Sequence, residues 1–231
     1  MTGEDKMNSI TLRDIIMMVP ILLIALPVHE FAHGWVAYRM GDPTAKYAGR
    51  LTLNPVRHLD LMGVLMMLLV GVGWAKPVPV DSTNFRNRRL GMLLVSLAGP
   101  FSNLILAFLG MLAWGIPAKL ITAGIIVVKS FAMADVLTFG AEFLQTFVFV
   151  NISLAVFNLI PIPPLDGSRI LSSVVPDESY YRLARYEQFI GLAFLILVIV
   201  LPDNLFSKFI SFFARPIYNS MVLTVRFIFG L

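Results

Sequence analysis

The sequence predicts an all-α polytopic membrane protein, and three observations predict it. Hydrophobic residues fill 58% of the 231 positions and charged residues only 14%, against about 25% charged in a soluble domain. The mean hydropathy is +0.81. Apolar stretches approaching the roughly 20 residues of a helical crossing recur along the whole length. The expectation is one integral membrane domain over residues 1–231. The first apolar stretch has no short polar cleavage region after it and holds ionisable residues, so it reads as a retained helix and not as a removable signal.

The elements follow in order. A first span is expected from Ile15 to Tyr38, then a polar stretch punctuated by Gly and Pro from Gly41 to Asp60, read as loop with short strands. Leu61 to Trp74 is apolar but too short for a comfortable crossing and reads as a re-entrant or buried segment. Lys76-Pro-Val-Pro-Val80 stays extended, because alternating prolines break a helix and confine a strand to an edge. Irregular backbone of this kind is tolerated at membrane depth only where protein or a water-filled cavity shields it. A second span is expected from Leu90 to Ile116, a third from Phe139 to Ile160, and a fourth near Phe189 to Leu201. The tail from Asn204 to Leu231 mixes Phe and Ile with Lys208, Arg215 and Arg226, a pattern that fits an interfacial amphipathic helix better than a clean crossing and leaves a fifth span open.

Charge sets the orientation. Eight Lys and Arg lie between Arg39 and Arg89 and three between Arg169 and Arg185, against two from Pro117 to Leu137. The first two groups are expected on the cytoplasmic side of the cell membrane, with the N-terminus outside. The first and third spans then both run inward. The net charge of +4 does not argue for nucleic acid, because the basic residues sit in short loops where anionic lipid head groups are the natural partner. The chain has no cysteine, so a transition metal must be held by His, Asp or Glu.

The inner half of the first span reads His29-Glu30-Phe31-Ala32-His33. Residues four apart share a helix face, so both imidazoles can reach one ion while Glu30 flanks its open position. An acidic residue at mid-span costs roughly 2.5 kcal/mol or more, which makes a functional role the default reading. Catalytic zinc takes three protein ligands and leaves a fourth position for water. Asp166 is the candidate third ligand, since it follows the proline run at the inner end of the third span and falls at the level of the two histidines. Glu142 competes but starts that span at the opposite face, and Glu187 lies beyond a polar segment. Asn103 and Asn158 are buried amides suited either to holding substrate backbone or an oxyanion, or to bonding across helices. His58 is suited either to supporting a metal ligand or to bonding loop backbone. Gly99-Pro100 suits close helix packing.

These residues resemble the site-2 protease family of intramembrane metalloproteases. The likeness rests on His29-Glu-Phe-Ala-His33-Gly and on Asn158-Leu-Ile-Pro-Ile-Pro-Pro-Leu-Asp166-Gly167, with Gly49-Arg-Leu-Thr-Leu-Asn54-Pro55, Gly73-Trp-Ala-Lys-Pro-Val-Pro-Val80 and Ala98-Gly99-Pro100-Phe-Ser-Asn103 between them. The resemblance implies that His29, His33 and Asp166 ligate one zinc ion and that Glu30 is the catalytic base. It implies a core of three transmembrane helices, at about 15–170 here with C-terminal helices at about 188–231 after it, and a small membrane-dipping β-hairpin. The strand candidates in this sequence, Arg50 to Leu53 and Val78 to Val80, are suited either to pairing with an unwound substrate or to supporting the fold. The implied reaction is hydrolysis of transmembrane protein substrates. No stretch has the length and polarity of the PDZ or CBS domains of some members, which leaves substrate choice to the membrane core, a homo-oligomer or a regulatory membrane partner. The competing classes are a prenyl-protein-processing metalloprotease, with a glutamate as third ligand, and a metal-ion transporter, which has no need of Glu30.

Overall fold

The computed structural model describes residues 11–60, 62–63, 74–174, 186–200 and 203–231. The first helix, α1, runs from Leu12 to Met40 without interruption at Pro20 or Pro27. Thr11 and Asp14 close a capping box at its start, and Gly41, at φ 112°, ends it in the left-handed region that favours glycine. A short helix α2 (Thr44–Tyr47) and a 3-10 turn at Pro55–Arg57 follow. Next come α3 (Arg88–Thr122), α4 (Phe131–Asn158), α5 (Asp166–Val174), α6 (Glu187–Val200) and α7 (Asp203–Phe229).

Three of these, α1, α3 and α4, are long and apolar enough to cross a membrane. Helix α3 packs against both others, so the three form a layer with α3 central. Arg13, near the start of α1, pairs with Glu142 in the first half of α4, and the ends of both helices lie toward the metal cluster described below. Helices α1 and α4 therefore run in the same direction, with α3 antiparallel. The core gathers where α3 and α4 meet, on Ala107, Met111, Val148 and Ile152.

The tail forms one long helix with a face packed on the core. Ala214 and Val225 of α7 are fully buried in that same core. Gly115 of α3 makes room for α7: a Cβ there would stand 2.6 Å from the Phe229 ring and 2.7 Å from Val225. Helix α7 thus lies along the length of α3 and α4. The fourth expected span, near Phe189 to Leu201, is α6, a helix of 14 residues, or about 21 Å at about 1.5 Å per residue.

The expected β-hairpin is not supported. Among the described residues no strand forms, and Arg50 to Leu53 and Val78 to Val80 are irregular, with one antiparallel bridge between Leu59 and Ala75. Pro77 and Pro79 have no N–H for a ladder. The Val78 N–H goes instead to the Glu30 carboxylate at 2.7 Å, and the Arg50 guanidinium takes the Lys76 carbonyl at 2.6 Å. The re-entrant candidate Leu61 to Trp74 lies mostly outside the described residues.

Asp42 ties the C-terminal end of α1 to the approach of α3. Its fully buried carboxylate accepts the backbone N–H of Thr44 at 3.0 Å and of Asp81 at 2.8 Å, the Asn84 amide at 2.9 Å and the Thr44 hydroxyl. Burial alone raises a carboxyl pKa, but these donors outweigh it and hold Asp42 below the usual range. The depressed folded value makes the stabilisation complete above the ordinary value of about 4 and lost as pH falls through the folded one. Asp42→Ala strands four donors, and thermal unfolding in detergent at neutral pH is expected to show a loss of about 2–3 kcal/mol.

Candidate metal centre

Three ligand atoms converge where α1, α3 and α5 meet. His29 Nε2 and His33 Nε2 are 2.9 Å apart. Asp166 Oδ2 lies 3.1 Å from the first and 3.2 Å from the second. The near-equilateral triangle follows from local structure. Positions 29 and 33 are one helical turn apart on α1, so their rings share a face and meet edge to face. Asp166 is the first residue of α5, carried there by the irregular Leu159–Leu165 turn at the C-terminal end of α4.

Each partner is fixed by its surroundings. His33 Nδ1 donates to the Val95 carbonyl of α3 at 2.7 Å, which leaves its Nε2 lone pair facing the other two atoms. Gly99, one turn further along α3, faces the same rings: a Cβ there would stand 2.4 Å from His33 Nε2 and 2.5 Å from His29 Nε2. Gly167 plays the matching part for Asp166, since a Cβ would fall 2.3 Å from the Leu159 carbonyl oxygen. Glycine is therefore required at both places for steric reasons.

The triangle fits a cation. Bonds of about 2.0–2.1 Å around a tetrahedral zinc place its ligand atoms about 3.3 Å apart, close to the separations found. Three acceptor atoms so near one another in a buried site repel unless a positive charge lies among them, and Asp166 Oδ2 has no other hydrogen-bond partner. The two nitrogens and one carboxylate oxygen are the donor set of a catalytic zinc site with one position open. Among the described residues this is the only such cluster of His, Asp and Glu.

Glu30, between the two histidines in sequence, is held through one oxygen by the Val78 N–H. Val78 is placed by Arg50, a side chain only 8% exposed whose guanidinium bonds the Lys76 and Pro77 carbonyls. Neither Arg50 nor the Val95 carbonyl was predicted from sequence. One signal existed: in Pro77-Val78-Pro79 only Val78 can donate a backbone hydrogen bond.

The remaining candidates fall as follows. Asn103 stands one turn beyond Gly99 on α3, fully buried, with neither side-chain atom bonded. Asn158 donates to its own helix, at the Leu154 carbonyl, 3.0 Å away. His58 bonds the Thr52 carbonyl at 2.7 Å and gives its own carbonyl to Lys76, so it organises the loop and has no bond to the metal cluster. Glu142, the competing third ligand, is engaged with Arg13, and Glu187 begins α6.

Comparison with known proteins agrees with this chemistry. The profile of peptidase family M50 matches residues 17–200. The chain is 39% identical over 185 residues to YwhC of Bacillus subtilis (strain 168), provisionally named a zinc metalloprotease, covering 79% of this chain and 80% of that one. It is 34% identical over 194 residues to Rip2 of Mycobacterium tuberculosis (strain H37Rv), provisionally named in the same way, covering 81% and 68%. Zinc metalloprotease MJ0392 of Methanocaldococcus jannaschii is 24% identical over 161 residues, 70% of this chain and 35% of that one. No solved structure matches at comparable stringency. The chain therefore belongs to peptidase family M50, the site-2 protease family, and is a membrane zinc metallopeptidase.

Proposed function

We propose that this peptidase cuts inside the membrane, hydrolysing peptide bonds within or near transmembrane segments of other membrane proteins, as in regulated intramembrane proteolysis. One observation carries the reading. Two of the three clustered ligand atoms stand on α1, a helix suited in length and hydropathy to crossing a membrane. From His33 to Tyr38 is only about 8 Å of helix, which favours a site nearer one face, and the loop charges favour the cytoplasmic one. Residues 1–231 are read as one protease domain.

His29, His33 and Asp166 would hold the ion, which when bound supplies a Lewis acid that activates water at neutral pH and polarises a carbonyl. Glu30 accepts the proton lost as water attacks and delivers it to the departing amine. Its Val78 hydrogen bond occupies one oxygen and leaves the other for that transfer. Asn103, with an unbonded amide one turn from Gly99, is suited to a substrate carbonyl, and Asn158 to the approaching backbone. A substrate helix hides its own amides, so it must unwind locally before its backbone can be gripped. Water is proposed to enter from the Gly41 to Asp60 side.

Arg50 then acts through Val78 on the orientation of Glu30. Arg50→Ala is expected to lower kcat by about 10–100-fold with zinc content and KM little changed, and Arg50→Lys to recover part of it. Equal loss of zinc in both variants would assign Arg50 to the fold alone.

The ligand assignment is tested by the zinc content and activity of the purified protein. Asp166→Ala is expected to lose stoichiometric zinc and cleavage together, and Glu142→Ala to keep both. The reverse pattern would point to a glutamate-ligated metalloprotease, and zinc uptake across vesicles without hydrolysis would point to a transporter.

A further inference from the structure

Helix α7 carries a polar feature that hydrolysis does not use. One face, with Ala214 and Val225, is buried on α3 and α4. Another exposes Phe209, Phe213, Leu223 and Phe227, side chains suited to lipid. Between the two runs a stripe at helical spacing, Lys208, Ser211, Arg215 and Asn219. With Phe212 and Pro216 these residues line a groove of about 630 Å³.

Depth follows from the packing. Phe206 lies 5.9 Å from Phe157 at the inner end of α4, and Val225 and Phe229 pack on Gly115 toward the outer end of α3. Helix α7 therefore shares the depth of the crossing helices. Lys208 and Arg226 are about 27 Å apart along it, close to the roughly 30 Å of a hydrocarbon core, so both ends reach head groups. Arg215 and Asn219 fall between them. Pro216 has no N–H, so the Phe212 carbonyl loses its helical donor in the same groove. An arginine, an amide and a bare carbonyl facing hydrocarbon are costly unless partnered.

Among the described residues Arg215 has no ion-pair partner. The described residues of a second copy do not supply one. Glu142 is paired with Arg13, Glu30 with Val78 and Asp166 with the histidines, and the other described acids stand at helix ends or in loops. We propose that this stripe docks a transmembrane helix of another protein that carries a carboxylate near its middle. The carboxylate pairs with Arg215, and Asn219 bonds the polar groups beside it.

The test uses phosphatidylcholine vesicles holding the full chain and a labelled synthetic Leu/Ala helix with a single central Glu, or its Gln twin. Association is read by energy transfer, and zinc content is measured on the same samples. The Glu helix is expected to bind wild type and Arg215→Lys about tenfold more tightly than the Gln twin. That preference is expected to vanish in Arg215→Leu, and Arg215→Glu is expected to prefer a helix with a central Lys. Wild-type zinc content in these variants shows that they fold and separates this result from the fate of the hydrolytic reading. Equal binding of the Glu and Gln helices to wild type overturns the proposal, whatever the variants do. So does binding that requires added phosphatidylglycerol, which assigns Arg215 to head groups, or a wild-type oligomer dispersed by Arg215→Leu, which assigns the face to a second copy.

Discussion

Replacing Glu30 by glutamine is expected to cut peptide hydrolysis by about a thousandfold while leaving zinc in place. The substitution is nearly isosteric, and the glutamine oxygen still accepts the Val78 N–H that anchors this side chain at 2.7 Å. His29, His33 and Asp166 are untouched, so their triangle should persist. What disappears is the proton acceptor. Zinc analysis and cleavage assays on one preparation check both halves of the result. Hydrolysis at the wild-type rate would remove Glu30 from the role of base.

Gly99→Ala is expected to be nearly as damaging by another route. The added methyl would stand 2.4–2.5 Å from imidazole atoms of both histidines, well inside contact distance. The rings sit between α1 and α3 and are buried, and His33 is further pinned to the Val95 carbonyl, so they have little room to move. Either the helices part or the nitrogens leave the triangle. Zinc content of the purified variant is expected to fall from one ion per chain to near none, with hydrolysis lost alongside it. Full zinc in Gly99→Ala would mean that the α1–α3 approach is looser than described.

Legibility in the sequence tracks the range of the interactions involved. The spans of α1 and α3 could be read because long apolar runs end at polar, Gly-bearing turns. The histidine pair with Glu30 was readable because it depends only on helical periodicity. Asp166 needed a longer argument, that two spans entering in the same direction end at the same level, and the shared course of α1 and α4 supports that premise. Helix α4 begins at Phe131, eight residues before the expected start, because Ser130 caps a stretch whose modest hydropathy concealed it. Helix α7 looked interfacial because its cations lower the average, although one of its faces is core. The strands failed because tertiary partners, the Arg50 guanidinium and the Glu30 carboxylate, claimed the groups that a ladder needs. Arg50 and the Val95 carbonyl act through contacts 26 and 62 residues away in sequence. No local pattern announces such contacts.

The most direct test of intramembrane cleavage is to map the cut in a reporter transmembrane protein, co-reconstituted with the zinc-loaded peptidase in vesicles prepared in ¹⁸O water. The account predicts a new C-terminus inside the hydrophobic segment, labelled with ¹⁸O, absent with Glu30→Gln and lost on chelation. Cleavage confined to the reporter's water-exposed loops, or a product that forms equally with Glu30→Gln, would contradict it.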